Sequence, residues 1–436
     1  MPSTLRSIQV CGLLSGILGI LVSAPLAHAQ ETPTPPATPA TQATPAAPAT
    51  QTPATPAPPP GLAFNFLLDG YYDYNFNRPK VVKGNSTPGI NGPVVSAALG
   101  RNFDSQHNAF ALGLAELGVS KATTATSRLG FTAKIAYGPT ATAVISASDA
   151  NNVNILQAYG TFLVPLKGKD LTVDAGKFVT HMGQEVIEPE LNWNYSRSDL
   201  FQYFIPYYHS GIRAALPFGS KFTATGYVYN GWNNAVTDSN SSKSYGFALN
   251  FTPSPKYSLL LNGLASQEPV GYGGPPDPVT QAQAALVAGA NDKSKNVLEP
   301  ILTYNFSPAL TGVIDGNFDF GKGAYLPGDP NRASSSWSSS GVAGYLHYAF
   351  PSGSALTARG EYYSDKKGAL LGAANGKGGE FTLTYGLKTP LFVGAETRFE
   401  YRYDTAKMPG LFEDSSGSFA TKKSQNTVSV SENLSF

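Results

Sequence analysis

An alternation of polar and apolar residues with a period of two runs through the chain beyond residue 60. In residues 396–405, ETRFEYRYDT, the Glu, Arg and Asp side chains fall on one parity and the Thr, Phe and Tyr side chains on the other. Because successive side chains of a β-strand point to opposite faces, this stretch predicts a strand with one charged and one aromatic face. A soluble sheet would bury the aromatic face, whereas a membrane barrel would turn the charged face toward a water-filled lumen.

The same reading of alternation and turn residues predicts about sixteen strands. They are predicted at 61–77, 108–120, 127–138, 152–164, 169–178, 206–217, 220–231, 244–252, 256–266, 296–307, 309–321, 339–350, 354–365, 379–389, 391–404 and 425–436. An even number of strands returns both ends of a barrel to one side of the membrane.

The connections between these strands are alternately short and long. The short ones, such as TPSPK and PSGS, are built on Pro or Gly, whereas the long ones are expected near 78–107, 139–151, 179–205, 232–243, 267–295, 322–338, 366–378 and 405–424. Tight turns on one side and long loops on the other are typical of outer-membrane barrels. The predicted fold is therefore an all-β, transmembrane antiparallel β-barrel over residues 61–436, with short periplasmic turns and long external loops.

The composition favours the membrane barrel over a soluble alternative, two tandem β-sandwiches. Charged residues make up 14% of the chain and aromatic residues 11%, against roughly 25% charge in ordinary soluble domains. A pair of sandwiches would have to bury most of the Phe and Tyr residues and would not sort loop length strictly by side.

The first 60 residues are predicted to lie outside the barrel. Arg6, an apolar run over about 10–22 and the sequence AHA at 27–29 have the layout of a secretory signal peptide, expected at 1–29. Residues 30–60, rich in Pro, Ala and Thr, cannot bury a core and predict a disordered periplasmic segment. It would be either an inert spacer or a tether toward the cell wall. The expected location is the outer membrane of a Gram-negative bacterium.

Several functional classes are disfavoured by the residue inventory. The 30 Lys and Arg residues balance 29 Asp and Glu residues, which gives no reason to expect a nucleic-acid partner. Cys11, in the predicted signal, is the only cysteine, so thiol chemistry is not expected of the mature chain. His209 and Ser210 are neighbours on one strand and point to opposite faces, and no metal-binding spacing such as HExxH occurs. We therefore expect no enzymatic activity, no cofactor and no metal site.

Five stretches carry a resemblance to a known family. They are DGYYDYNFNRP (69–79), RNFDSQHNAFALGLAEL (101–117), AGKFVTHMGQEVIE (175–188), NWNYSRSDLFQYFIPYYHSGIRAALPF (192–218) and GYVYNGWNN (226–234). Together they resemble the OmpL-like family of β-barrel porins, and the second half of the barrel matches only by general pattern. The resemblance implies an outer-membrane channel without naming a solute, and sixteen-stranded porins further imply a homotrimer.

A constriction is expected from the same resemblance. In sixteen-stranded porins the third external loop commonly folds into the barrel, and the connection in that position here is 179–205. Ser196 with Asp199 three residues later resembles a helix-starting box, so a short helix is predicted there. The alternative is a loop lying outside over the mouth. The charged constriction residues would be Glu185, Glu188, Glu190, Arg197 and Asp199.

The parity opposite to the aromatic residues predicts which charged side chains line the pore. The candidates are Asp69, Asp73, Lys134, Arg213, Glu299, Asp315, Asp319, Arg359, Glu361, Glu380, Lys388, Glu396, Arg398, Glu400 and Arg402. Acidic members outnumber basic ones, which favours a mild cation preference. Mixed-sign ladders such as 396–402 could equally pair with neighbouring strands and stiffen the wall.

These features lead to two functional hypotheses. The first is a porin for passive diffusion of small hydrophilic solutes and ions through the outer-membrane lipid. The alternative is a non-conducting structural or adhesive barrel tethered through residues 30–60. The final strand ends on Phe436, which resembles the signature that barrel-assembly machinery recognises. Glu432 shares the outward parity of Val430 and Leu434, so a bulge or a subunit contact is expected there.

Overall fold

The computed structural model describes residues 61–79, 101–141, 144, 153–233, 242–267, 294–322, 336–371, 376–388, 393–407, 412 and 422–436. The predicted signal peptide at 1–29 and the Pro-rich segment at 30–60 lie outside the described residues. So do large parts of the predicted long loops other than 179–205.

The described residues form sixteen antiparallel strands that close into one barrel. Each strand pairs with the next along the chain, and the first pairs with the last. The predicted barrel is thereby confirmed, and no predicted strand end is displaced by more than four residues. The strands are β1 (Ala63–Asn75), β2 (Ala109–Lys121), β3 (Leu129–Tyr137), β4 (Val153–Leu166), β5 (Lys169–Val179), β6 (Tyr208–Pro217), β7 (Phe222–Tyr229), β8 (Ser244–Ser254), β9 (Tyr257–Ser266), β10 (Ser294–Asn305), β11 (Leu310–Lys322), β12 (Ser336–Ala349), β13 (Ala355–Asp365), β14 (Gly376–Lys388), β15 (Ala395–Ala406) and β16 (Ser424–Ser435).

The two faces of β15 are sorted as a membrane barrel requires. Phe399, Tyr401 and Tyr403 are 48%, 40% and 39% exposed on the outside of the barrel. Arg398 and Arg402 alternate with them and are buried inside. An apolar outer band with a polar interior is the pattern of transmembrane barrels. In the described part of the chain, no helix has both the length and the apolar character to cross a bilayer.

The seam between β1 and β16 closes the barrel. Tyr72 lies opposite Val430, and the backbone of Phe66 exchanges hydrogen bonds of 2.9 and 3.0 Å with that of Phe436. The pairing of β16 with both neighbours is continuous past Glu432, so the expected bulge at that residue is wrong. Glu432 instead remains on the outer parity, where its Oε2 accepts a hydrogen bond of 2.5 Å from the Thr397 hydroxyl.

Among the described residues, three irregularities in register occur elsewhere, between β1 and β2, between β3 and β4, and between β8 and β9. Between β1 and β2, Asp69 pairs with Leu114 and Gly70 with Leu112, so Gly113 is an extra residue. An extra residue reverses the parity of the strand beyond it. As a result, Glu116 points into the barrel and its carboxylate lies 2.7 Å from the Lys134 ammonium.

Candidate functional site

The connection between β5 and β6, residues 180–207, lies inside the barrel. The backbone N–H of Gly183 donates to Glu299 on β10 at 2.9 Å. Farther along, the backbone N–H of Tyr195 donates to Glu400 on β15 at 2.7 Å. Because β10 and β15 are five strands apart around the barrel, this inner loop spans the lumen rather than following one wall.

Carboxylates of the wall hold the inner loop by its backbone. Glu361 accepts the N–H groups of Asp199 and Leu200 at 2.6 and 3.1 Å. Glu400 likewise accepts the N–H group of Ser196 at 3.1 Å beside that of Tyr195. Hydrogen bonds to ionised acceptors contribute about 1.5–3 kcal/mol each. The wall therefore holds the loop by its backbone at these four residues.

Arginines of the wall also hold the inner loop, by donating hydrogen bonds to its backbone carbonyl groups. Arg359 donates to the Ser196 carbonyl at 2.6 Å, and Arg398 donates to the Pro189 carbonyl at 2.7 Å. Arg402 donates to the Arg197 carbonyl at 2.5 Å. Backbone donors of the loop thus meet wall carboxylates, and backbone acceptors meet wall guanidinium groups.

Three of the five predicted constriction residues form ion pairs with the wall. Glu185 lies 2.6 Å from Arg359, Asp199 lies 2.9 Å from Arg402, and Glu188 lies 3.0 Å from Lys134. The fourth, Arg197, is buried and donates to carbonyls of the loop itself, among them Tyr195 at 2.5 Å. Its guanidinium closes the loop on itself.

The fifth, Glu190, has no ion-pair partner within 4 Å among the described residues. It is half-buried, and its Oε2 makes no hydrogen bond. Burial, reinforced by the neighbouring Glu188 carboxylate, raises the pKa of Glu190 to about 7. This residue therefore gains its charge near neutral pH.

The inner loop contains short helical turns, in line with the predicted short helix, but the Ser196–Asp199 box does not start them. Its helical parts are a 3₁₀ turn at Pro189–Leu191 and a five-residue π-helical turn at Leu200–Phe204. Ser196 does not cap either turn, because its hydroxyl accepts a hydrogen bond from Arg359 at 3.1 Å. The predicted Ser196–Asp199 box is therefore wrong. Gly183 has φ +95°, a left-handed conformation that favours glycine.

A second segment inside the barrel, residues 101–107, is missed by the sequence reasoning. Arg101 lies 2.9 Å from Asp404 of β15 and also pairs with Asp104. The Asn102 amide nitrogen donates to the Tyr207 hydroxyl at 2.9 Å, which joins this segment to the inner loop. The signal in the sequence for this segment is RNF at 101–103, a cation and an amide next to an aromatic residue in a region predicted to be an external loop.

Apolar side chains of the inner loop pack against two parts of the wall. Phe201 and Ile205 of the inner loop belong to the same buried cluster as Phe178 of β5 and Tyr227 of β7. On the far side, Leu200 packs with Tyr345 and Trp337 of β12 in a second cluster. Leu200 sits where any side chain at Gly341 would have to be. The inner loop is therefore held in the barrel by apolar contacts as well as by polar ones.

The predicted pore-lining residues fall into an enclosed group and an accessible group. Lys134, Arg213 and Glu396 are partly exposed, and Lys388 is exposed at the end of β14. Arg213 lies 2.7 Å from Asp174. The other members are buried against the inner loop or against one another: Asp69, Asp73, Glu299, Asp315, Asp319, Arg359, Glu361, Glu380, Arg398, Glu400 and Arg402.

Two further acidic residues in this lumen, Glu116 and Asp174, were not among the predicted sites. Asp174 lies on an inward parity that the alternation itself defines. Glu116 faces inward only because Gly113 is an extra residue in β2, and the alternation in the sequence gives no sign of that extra residue. Among the described residues, no three His, Cys, Asp or Glu side chains stand close enough to hold a metal ion.

Comparison with known proteins identifies the family of the chain and structures with the same fold. Residues 61–436 match the family described as "Putative beta-barrel porin-2, OmpL-like". No curated protein matches the chain. A solved structure of OmpT of Vibrio cholerae, in trimer form, is 11% identical with a TM-score of 0.53 and covers 87% of this chain and 100% of its own.

Two further solved structures show the same fold. An anion-selective porin from Comamonas acidovorans is 11% identical with a TM-score of 0.54, over 86% of this chain and 99% of its own. The outer-membrane channel DcaP of Acinetobacter baumannii is 13% identical with a TM-score of 0.52, over 86% and 97%. At such low identities the likeness concerns the fold alone.

Proposed function

The chain belongs to the "Putative beta-barrel porin-2, OmpL-like" family, and from this we propose that its barrel is an outer-membrane channel for passive diffusion of small hydrophilic solutes and ions. The observation that carries the proposal is the sorting of the two faces of a closed barrel, apolar outside and charged inside. Diffusion through such a pore needs no chemical step, and size and electrostatics select what passes.

The inner loop would be the constriction. Its attachment to β10, β11, β13 and β15 supports this role, because solutes must pass beside it. The test is single-channel conductance of the purified protein in a planar bilayer, with a variant lacking residues 190–203. We expect ohmic steps from the wild type and larger steps from the deletion. Equal steps would place the constriction elsewhere.

A mild cation preference is proposed from the charges inside the barrel. Among the described residues the acidic side chains facing inward or on the two inner segments number nineteen and the basic ones ten, and this excess of acidic groups favours cations. The acidic set is Asp69, Asp73, Asp104, Glu116, Asp170, Asp174, Glu185, Glu188, Glu190, Asp199, Glu299, Asp315, Asp319, Glu361, Asp365, Glu380, Glu396, Glu400 and Asp404, and the basic set is Arg101, Arg128, Lys134, Arg197, Arg213, Lys295, Arg359, Lys388, Arg398 and Arg402. A reversal potential in a KCl gradient measures the preference. An anion-selective potential would contradict it.

A second candidate function is a non-conducting structural or adhesive barrel. The low exposure of lumen residues such as Asp73, at 0%, and Arg359, at 1%, favours it. The same bilayer recording separates the two functions. A silent wild type together with a conducting deletion variant would support the plugged barrel, whereas steps from the wild type would support the channel.

Assembly and location are part of the proposal. A homotrimer is proposed by analogy with the trimer form of OmpT. The exposed Phe436 is proposed as the contact for the barrel-assembly machinery. Comparing heated and unheated samples on a gel tests the oligomer, and N-terminal sequencing of the mature protein tests cleavage after residue 29. A monomer band in the unheated sample would argue against the trimer.

A further inference from the structure

The inner wall formed by β9, β10 and β11 carries a row of polar groups without partners. Neither carboxylate oxygen of Asp319 makes a hydrogen bond, although the residue is 1% exposed. One carboxylate oxygen of Asp315 and the amide oxygens of Asn317 and Asn262 are also without partners. All four residues are more than nine-tenths buried. Buried polar groups in folded proteins are almost always satisfied, so unpaired ones indicate water or an ion that occupies the space beside them.

These residues are arranged as a ladder. Asp315, Asn317 and Asp319 are alternate residues of β11, and alternate residues share one face at a spacing of about 7 Å. The pairing of Leu298 with Phe318 and of Ile301 with Asp315 places Glu299 of β10 beside the middle of this row. Asn262 of β9 donates to Glu299 at 2.9 Å. The row of oxygen atoms therefore continues across three adjacent strands.

The opposite wall of the lumen has a different character. Arg359, Arg398 and Arg402, on β13 and β15, are fully engaged with loop carbonyls and with carboxylates of the same wall. In the row on β9–β11 the members are three carboxylates and two amides. Among the described residues, Lys295 lies near its outer end, with its ammonium group 3.1 Å from the centre of the Trp232 ring. The guanidinium groups of the opposite wall therefore neutralise carboxylates beside them, whereas the carboxylates of the row have no ion-pair partner within 4 Å among the described residues.

We propose that Asp315, Asn317, Asp319, Glu299 and Asn262 form a binding track for small monovalent cations, such as K⁺, along the β9–β11 wall. The proposal deepens, and rests on, the proposed channel function. The oxygens that accept no hydrogen bond, namely both of Asp319 and one each of Asp315, Asn317 and Asn262, replace the hydration shell of such a cation. At about 7 Å the rungs are too far apart to share one ion, since oxygen ligands of cations lie within about 3 Å of the ion. Successive rungs therefore act as separate stations.

The selectivity of the channel in a KCl gradient tests the track. Asp319→Asn is the cleanest variant, because neither oxygen of Asp319 holds another part of the protein and the change is isosteric. Asp319→Asn removes the charge of one station and so lowers the K⁺/Cl⁻ permeability ratio. A unit charge about 7 Å from an ion, the distance of the neighbouring station, favours K⁺ and disfavours Cl⁻ by about threefold each at the dielectric constant of water, so the ratio should fall by about sevenfold or more. Asp315→Asn serves as a second variant in case the first fails to assemble. It removes a charge while keeping an oxygen to accept the Gln184 N–H, which now donates to Asp315 at 3.2 Å.

The matched control is Glu396→Gln, which removes one lumenal charge that is already paired with Arg398 at 2.9 Å. A smaller change in the control than in Asp319→Asn supports the track, and equal changes in both would overturn it. A second measurement does not depend on conduction, namely crystals soaked in Tl⁺, a K⁺ analogue with a strong anomalous signal. Anomalous density beside Asp319 and Asn317 supports the track even if the bilayer is silent, in which case only the channel function fails. Conduction without such density, and without an effect of Asp319→Asn, refutes the track and leaves the channel standing.

Discussion

The attachment of the inner loop by wall carboxylates makes a quantitative prediction for Glu400→Gln. In the wild type, Glu400 Oε2 accepts hydrogen bonds from the Tyr195 N–H and the Thr384 hydroxyl at 2.7 and 2.6 Å. Its other oxygen accepts the Ser196 N–H at 3.1 Å. A glutamine keeps one acceptor oxygen but replaces the other with an NH₂ group. If the amide oxygen of the glutamine accepts the Tyr195 N–H, its NH₂ group faces the Ser196 N–H. Both groups are donors, so the hydrogen bond to Ser196 is lost.

The magnitude follows from the one bond that must be lost. A hydrogen bond to an ionised group contributes about 1.5–3 kcal/mol, and each 1.4 kcal/mol is a factor of about ten in an equilibrium constant. The local opening that exposes the Ser196 amide should therefore become about ten- to 150-fold more populated. The barrel should remain folded, because β15 keeps its ladder with β14 and β16.

Amide hydrogen exchange measures this opening directly. We expect the protection of the Ser196 amide to fall by the factor above in the Glu400→Gln variant. The amides of Asp199 and Leu200, which Glu361 holds, serve as an internal control in the same sample. Unchanged protection at Ser196 would refute the attachment by Glu400, and equal loss at all three amides would show that the loop is released as one unit.

Three further predictions concern the pore and the outer face. Arg359→Met removes the donor to the Ser196 carbonyl and the ion-pair partner of Glu185, and it leaves Glu380 with the more distant Arg402 at 3.8 Å. Breaking a buried pair costs about 3–5 kcal/mol. Single-channel conductance should therefore rise, and should not in Arg213→Met, whose partner is Asp174. Because the pKa of Glu190 is raised to about 7, this carboxyl is neutral below that pH and negative above it; the reversal potential should become more cation-selective from pH 6 to pH 8, and Glu190→Gln should flatten that change. Glu432→Leu removes the carboxylate from the outer face; if Glu432 serves a subunit contact, the unheated oligomer should dissociate at a lower temperature on a gel, and an unchanged temperature would argue for a lipid-facing position.

The strands are predictable because their signal is local. In 396–405 the alternation is strict, and β15 is found at Ala395–Ala406. The position of Glu116 is not predictable in this way, because one extra residue at Gly113 reverses the parity and nothing in the alternation marks it. The bulge expected at Glu432 is wrong for the complementary reason: pairing with both neighbouring strands outweighs the cost of one outward carboxylate, which Thr397 relieves.

The conformation of the inner loop depends on contacts that are distant in the chain. Glu400 and Tyr195 are 205 residues apart, and Arg359 and Ser196 are 163 apart. No pattern within one segment reveals which carboxylate will meet which N–H group. The Ser196–Asp199 motif is compatible with a helix cap when it is considered alone. In the folded barrel, the Ser196 hydroxyl instead accepts a hydrogen bond from Arg359 of the wall. Residues 101–107 escaped attention for the same reason, since their partners lie on β15, β16 and the inner loop.

The seam between β1 and β16 has a consequence for the order of assembly. Every other neighbouring pair of the barrel joins strands that follow each other in sequence, so those pairs can form as successive hairpins. The seam instead joins the two extremes of the barrel, and closing so long a chain carries a large entropic cost and slows folding. Until it closes, both edge strands present unpaired N–H and C=O groups, which cannot be tolerated in lipid. The backbone hydrogen bonds between Phe66 and Phe436 therefore belong to the strand pair that we expect to form last. A chain that stopped before this step would be an open sheet whose edge strands could pair with those of another chain.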